Sequence, residues 1–228
     1  GSARQCDVRI EAGEKITVDG GILNIVGESS ATTTIDRQGA SGTYSLEVVS
    51  GTLNANYYQI RNIDSDGLNL SGQAVISSLD YGDFLLQSNG GSMMTVASTT
   101  LEQNAALTIT GCKFSTSSGI SSGYNAKRSG NSAFAWTFTQ HTGNYDGEDY
   151  DYDPTGECGN IRWDDSTCLL LEQIHYRWGN DDGTELLRGW ERKRLISVYN
   201  SSSSELTNYP IQVKVGYNTS TGVDLNCG

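Results

Sequence analysis

The stretch Val48-Val49-Ser50-Gly51-Thr52-Leu53-Asn54-Ala55-Asn56 returns, 48 residues on, as Val96-Ala97-Ser98-Thr99-Thr100-Leu101-Glu102-Gln103-Asn104, with Val, Ser, Thr, Leu and Asn in matching places. Like segments at a fixed period are the mark of stacked repeats. A spacing of 48 divides into two coils of about 24 residues, the length of one turn of a parallel β-helix. A single coil cannot bury its own apolar side, whereas stacked coils build a continuous apolar column.

Short β-prone runs surround this repeat at 16–18, 22–26, 44–49, 59–63, 74–79 and 107–109, each about one strand long. Gly, Asn, Asp and Ser clusters separate them, and the amphipathic helices that would build a doubly wound sheet are missing. The chain has 27 Gly against 2 Pro, and only 18% of its residues are charged, so helix-forming runs are scarce. These features predict an all-β chain: a right-handed parallel β-helix over 1–143 followed by additional strands, with a β-sandwich as the alternative. Residues 116–132, rich in Ser and Gly, read as a turn-rich edge before a strand at 135–139. At 144 the composition turns acidic and aromatic, which marks a connector over 144–189. Two further strands, 195–199 and 211–215, open a partial β-sandwich over 190–228.

A net charge of -12 and a pI near 4.5 exclude nucleic acid as a partner, because neutralising phosphates needs a basic stripe. No apolar run approaches membrane-spanning length, so insertion into a membrane is not expected. Cys158 and Cys168 enclose a short loop without zinc-knuckle spacing and are read as a disulfide, which implies a periplasmic or extracellular setting. Cys6 with Cys112 is the weaker pairing, and Cys227 is left for a partner beyond the chain.

Alternating carboxylates at Asp146, Glu148, Asp149, Asp151 and Asp153 would share one side of an extended chain and could hold calcium through hard oxygen ligands, although the offsets depart from the EF-hand loop. Asp164, Asp165, Asp181 and Asp182 are candidate additional ligands. Tyr145, Tyr150 and Tyr152 are candidates for stacking on sugar rings. Of the two histidines, His141 precedes the acidic stretch, which permits a metal or catalytic role, but an ordinary surface hydrogen bond is the expected one, as it is for His175. The run Gly119-Ile120-Ser121-Ser122-Gly123 matches the nucleophile-elbow pattern by accident of a Ser/Gly-rich tract. Lys127, Arg128 and Arg162 are the only basic groups near the acidic stretch that a polysaccharide lyase could use.

The segments GNYDGEDYD (143–151), GNIRWDD (159–165) and QIHYRWGNDDG (173–183) resemble a connector of large multidomain bacterial surface proteins. WERKR (190–194), VYN (198–200) and LTNYPIQV (206–213) resemble the opening strands of an uncharacterised bacterial β-sandwich module, often fused to lectin-like domains or to proton-channel-type transport proteins. The resemblance implies a secreted or cell-surface setting and a piece of a longer polypeptide. The expected function is a non-catalytic adhesin, stalk or filament subunit whose partners are a cell-surface glycan or protein, or further copies of itself. The alternatives are a polysaccharide-acting β-helix enzyme, lyase or glycosidase, and a glycan-binding module.

Overall fold

The computed structural model describes residues 6–154 and 159–165, together with the backbone of 216–218 and 222–224. These fall in two compact units divided between Thr184 and Glu185. The described part of the first unit is a parallel β-helix of about six coils. Among the described residues no helix is long and apolar enough to cross a membrane.

Three faces recur in each coil. The first carries β2 (Lys15–Val18), β5 (Tyr44–Val48), β7 (Ile63–Leu70), β9 (Ser92–Ala97) and β12 (Tyr124–Ser129), parallel and in that order. The third carries β1 (Asp7–Ile10), β4 (Thr33–Arg37), the second halves of β6 (Thr52–Ile60) and β8 (Val75–Leu86), and β11 (Lys113–Thr116). The second holds β3 (Ile22–Val26), the first halves of β6 and β8, then β10 (Thr108–Thr110), β13 (Trp136–Thr139) and β14 (Ile161–Trp163).

β6 and β8 each serve two faces because one residue in each bends the chain. Tyr57 and Tyr81 have φ of 50° and 53°, the left-handed region, and each of the two strands shifts its inward-facing set at that bend. The two rings stack at 4.5 Å with 5° between planes. Gly111 follows in the same corner, and a β-carbon there would lie 2.6 Å from the Tyr81 ring, so only glycine lets that ring lie across it.

The repeat seen in the sequence is a real column. Val48 pairs with Leu70 and Leu70 with Val96, so the 48-residue spacing covers two coils of 22 and 26 residues. The second half of the repeat changes form, since Thr52–Leu53 lies in a strand while Thr100–Leu101 lies in the helix α1 (Ser98–Gln103). Leu101 is still buried, and Thr100 Oγ1 donates to the Leu70 carbonyl at 3.1 Å. Asn104 then supplies what the missing strand would have bonded: its Nδ2 donates to Ala74 O at 2.7 Å and its Oδ1 accepts from Ile76 N at 2.7 Å. The ladder of the second face breaks here, between β8 and β10.

Aromatic rings fill the other columns. Phe84 stacks on Phe114 at 5.3 Å, and Phe114 meets Phe138 and Trp163 edge-on. Tyr58 pairs with Gly82, and its buried ring occupies the space that a side chain at 82 would need. The Cys112 thiol lies beside that phenol and donates to Leu79 O at 3.3 Å. Burial pushes its pKa up to about 12. The expected Cys6–Cys112 bridge is therefore not formed: both thiols are free, Cys112 sealed in the core and Cys6 exposed ahead of β1. Cys158, Cys168 and Cys227 lie outside the described residues.

Two sequence expectations change. Residues 124–129 form a paired strand instead of an edge turn. Residues 145–163, expected within a connector, continue the helix: Tyr152 bridges Lys127, and β14 pairs with β13 from Trp136↔Ile161 to Phe138↔Trp163. The second unit contributes an antiparallel hairpin of β15 (Gly216–Asn218) and β16 (Gly222–Asp224); the strands expected at 195–199 and 211–215 lie outside the described residues.

Candidate functional site

The acidic stretch does not run extended, so its alternation does not put the carboxylates on one side. Gly147, at φ 85°, turns the chain, and a 3-10 turn follows at Glu148–Tyr150. The five expected calcium ligands consequently do not converge. Asp153 turns inward, with Oδ1 2.9 Å from Arg128 Nε and Oδ2 accepting from the backbone N–H groups of Asn160 and Ile161. Both partners of that ion pair are buried. Asp151 accepts from Trp163 Nε1 at 3.0 Å, and burial raises its pKa to about 6, with the Asp153 charge adding to the rise and the Trp163 bond opposing it. Asp149 is exposed on the turn that also carries Glu148. Asp146 faces another candidate ligand, His141.

His141 is not the surface histidine expected. Its side chain is 6% exposed, and its ring meets Trp163 edge-on at 4.9 Å. It follows β13 at a corner where Gln140 takes φ 53°. Nδ1 lies 2.9 Å from Asp146 Oδ2, and Nε2 lies 3.0 Å from Asp164 Oδ1 and 3.4 Å from Asp165 Oδ1. Asp164 is fixed from behind: its N–H donates to Phe138 O at 3.0 Å, and its Oδ2 accepts from Gln140 N at 2.7 Å. Among the described residues, His141, Asp164 and Asp165 are the one group of three such side chains close enough to share an ion. The sequence named Asp164 and Asp165 as extra ligands and centred the group on the carboxylates of 146–153, which the fold separates. His175, Asp181 and Asp182 lie outside the described residues.

The tyrosines do come together. Tyr145 and Tyr150 stack at 4.1 Å, and Tyr124 meets Tyr152 at 5.1 Å and 57°. The Tyr145 hydroxyl donates to Gly123 O at 3.1 Å, which holds its mostly buried ring as a floor. Tyr150 and Tyr152 are exposed. Tyr124 is the member that sequence reasoning missed; it precedes the first mostly buried position of β12, a strand whose apolar alternation is absent.

The basic groups named for a lyase separate. Arg128 is 2% exposed and bonds Asn160 Oδ1 at 2.7 Å and Asn131 Oδ1 at 3.0 Å besides facing Asp153. Lys127 belongs to β12, and Arg162 Nε donates to Gly159 O at 3.1 Å. In the nucleophile-elbow match, Ser121 and Ser122 donate their backbone N–H groups to Asn89 Oδ1, as a turn does.

Comparison of the chain with protein-family models, with curated proteins and with solved structures returned no match.

Proposed function

We propose that this chain belongs to a secreted or surface-exposed bacterial protein and serves as a non-catalytic adhesive or structural element, its β-helix presenting a tyrosine patch to a carbohydrate. The observation that carries this reading is the cluster of Tyr124, Tyr145, Tyr150 and Tyr152 on adjoining coils, two of them exposed and two forming their support. A sugar ring offers a C–H face to a phenol ring and hydroxyls to its edge, and rigid rings lose little entropy on contact. The Ser-, Thr- and Asn-rich composition and the resemblance of 143–183 to a surface-protein connector support the setting. Against the lyase alternative stands Arg128: a guanidinium held against Asp153 in the core is neither accessible nor able to give up its proton.

Affinity electrophoresis of the whole chain through gels containing neutral and acidic polysaccharides tests the reading. At least one polysaccharide should retard it, and Tyr150→Ala and Tyr152→Ala should each weaken binding by about 10-fold, the loss of one ring contact. Equal mobility in every gel would remove the carbohydrate from the proposal.

A further inference from the structure

We infer that His141, Asp164 and Asp165 form a binding site for a divalent first-row transition ion such as zinc, with Asp146 orienting the histidine. This site is independent of the tyrosine patch; it takes Asp146 from the expected calcium ligands and Asp164 and Asp165 from the additional candidates, and centres them on His141.

An ionised carboxylate can only accept, so the 2.9 Å contact puts the ring proton on Nδ1, directed at Asp146 Oδ2. Nε2 then presents a lone pair to the Asp164 and Asp165 carboxylates. Three groups of negative or lone-pair character facing one another repel unless a positive charge sits between them. Nε2 and Asp164 Oδ1 are 3.0 Å apart, yet Nε2 is buried without a hydrogen-bond partner, and a shared cation would supply that charge.

The separations suit a shared ion. Ligands about 2.0–2.2 Å from one metal lie about 2.9 Å apart at a right angle and about 3.4 Å apart at the tetrahedral angle. The Nε2 distances to the two carboxylates are 3.0 and 3.4 Å. A ligating histidine that gives its other N–H to a carboxylate is the arrangement that fixes tautomer and ring orientation at metal sites, and Asp146 supplies it here. The imidazole nitrogen favours zinc, copper, iron or nickel over calcium, which takes oxygen ligands. Because His141 follows β13 and Asp164 follows β14, the ion would clip one coil to the next.

Isothermal titration of the whole chain, freed of metal, with zinc chloride, repeated with calcium chloride, tests the inference. Zinc should bind, and Asp164→Asn/Asp165→Asn should weaken it by on the order of 100-fold while far-UV circular dichroism stays unchanged. Asp146→Ala should lower affinity by about 10-fold through lost orientation. His175→Gln should bind as the unaltered chain does. With cobalt, the visible absorption should report nitrogen and oxygen ligation and vanish in His141→Ala. No zinc binding, zinc binding that survives the double Asn variant, or a preference for calcium would each overturn the inference.

Discussion

One column of the first face runs through Val18, Val48, Leu70 and Val96 and then, in the next coil, through Arg128. Four coils place an aliphatic side chain at this point, half-buried at Val18 and fully buried at the other three, and the fifth places a cation that is buried as well. In the middle of the stack each position has a coil above and below, so burial of an aliphatic group contributes about 1.5–3 kcal/mol without any need for direction. At the later coil, the chain crosses the column in loops whose polar groups must be satisfied. Asn160 donates to Ser132 O and Phe134 O, Asp153 accepts from Asn160 N and Ile161 N, and Arg128 neutralises Asp153. Apolar columns thus set the stack, while a polar plug fixes how the loops close over it, and Tyr152 and Trp163, which meet Tyr124 and His141, lie beside that plug.

Removing one half of the plug breaks this contrast most severely. Asp153→Ala leaves Arg128 charged and unpaired in the core and should destabilise by about 3–5 kcal/mol in urea unfolding followed by far-UV circular dichroism. Leu70→Ala, two coils earlier in the same column, should cost about 2–4 kcal/mol through a cavity alone. The distinguishing measurement is compensation. Arg128→Met/Asp153→Asn keeps an acceptor for the backbone and removes both charges, so it should recover most of the loss, whereas no partner change rescues Leu70→Ala. If the double substitution is as damaging as Asp153→Ala, the charge pair is not the element that matters.

The middle of the stack has its own point of failure, of intermediate size. A β-carbon at Gly82 would overlap the Tyr58 hydroxyl and lie 2.5 Å from its Cζ and 2.8 Å from Phe84 Cε2. Both rings are fully enclosed, so Gly82→Ala should cost about 1–3 kcal/mol by overpacking. Combining it with Tyr58→Leu should cost less than the two single changes added together. Strict additivity in a double-mutant cycle would show that the collision is relieved elsewhere.

This same contrast explains what could be read in advance. The β-helix was legible because Val48, Val96 and their neighbours follow from apolar columns, and those repeat. β12 was not, since its inward positions hold Ala126 and Arg128, one too small and one charged, and neither signals a strand. Residues 145–163 looked like a connector for the same reason: a coil that buries Asp153 and Asn160 has the composition of a loop. Tyr145, Tyr150 and Tyr152 were found from composition, and Tyr124 was not, because it joins them from the previous coil. The alternation of carboxylates from Asp146 to Asp153 does not put them on one side, because alternation implies one side only in an extended chain and Gly147 ends the extension. His141 meets Asp164 and Asp165 through the pairing of β13 with β14, a relation across 23 residues that no local pattern encodes.

The smallest effect tests whether the acidic stretch is strained by its burial. Asp151 holds its proton up to about pH 6 in the folded chain, against 3.8 for an ordinary aspartate. Between those values the native state binds more protons than the unfolded one, so this group's contribution to stability falls as pH rises from about 4 to 6 and stays as a constant penalty above that. Asp151→Asn keeps an acceptor for Trp163 Nε1 and removes the penalty. Since the carboxyl is partly open to solvent, which screens it, the gain at pH 7 should be about 1 kcal/mol, less than the full shift implies. The variant and the unaltered chain should then be equally stable near pH 4 and diverge through pH 6, with the variant the more stable. Parallel stability curves across that window would mean that Asp151 loses its proton as freely in the folded chain as in the unfolded one, and that the polar plug beside it, Asp153 included, imposes no electrostatic strain on its neighbours.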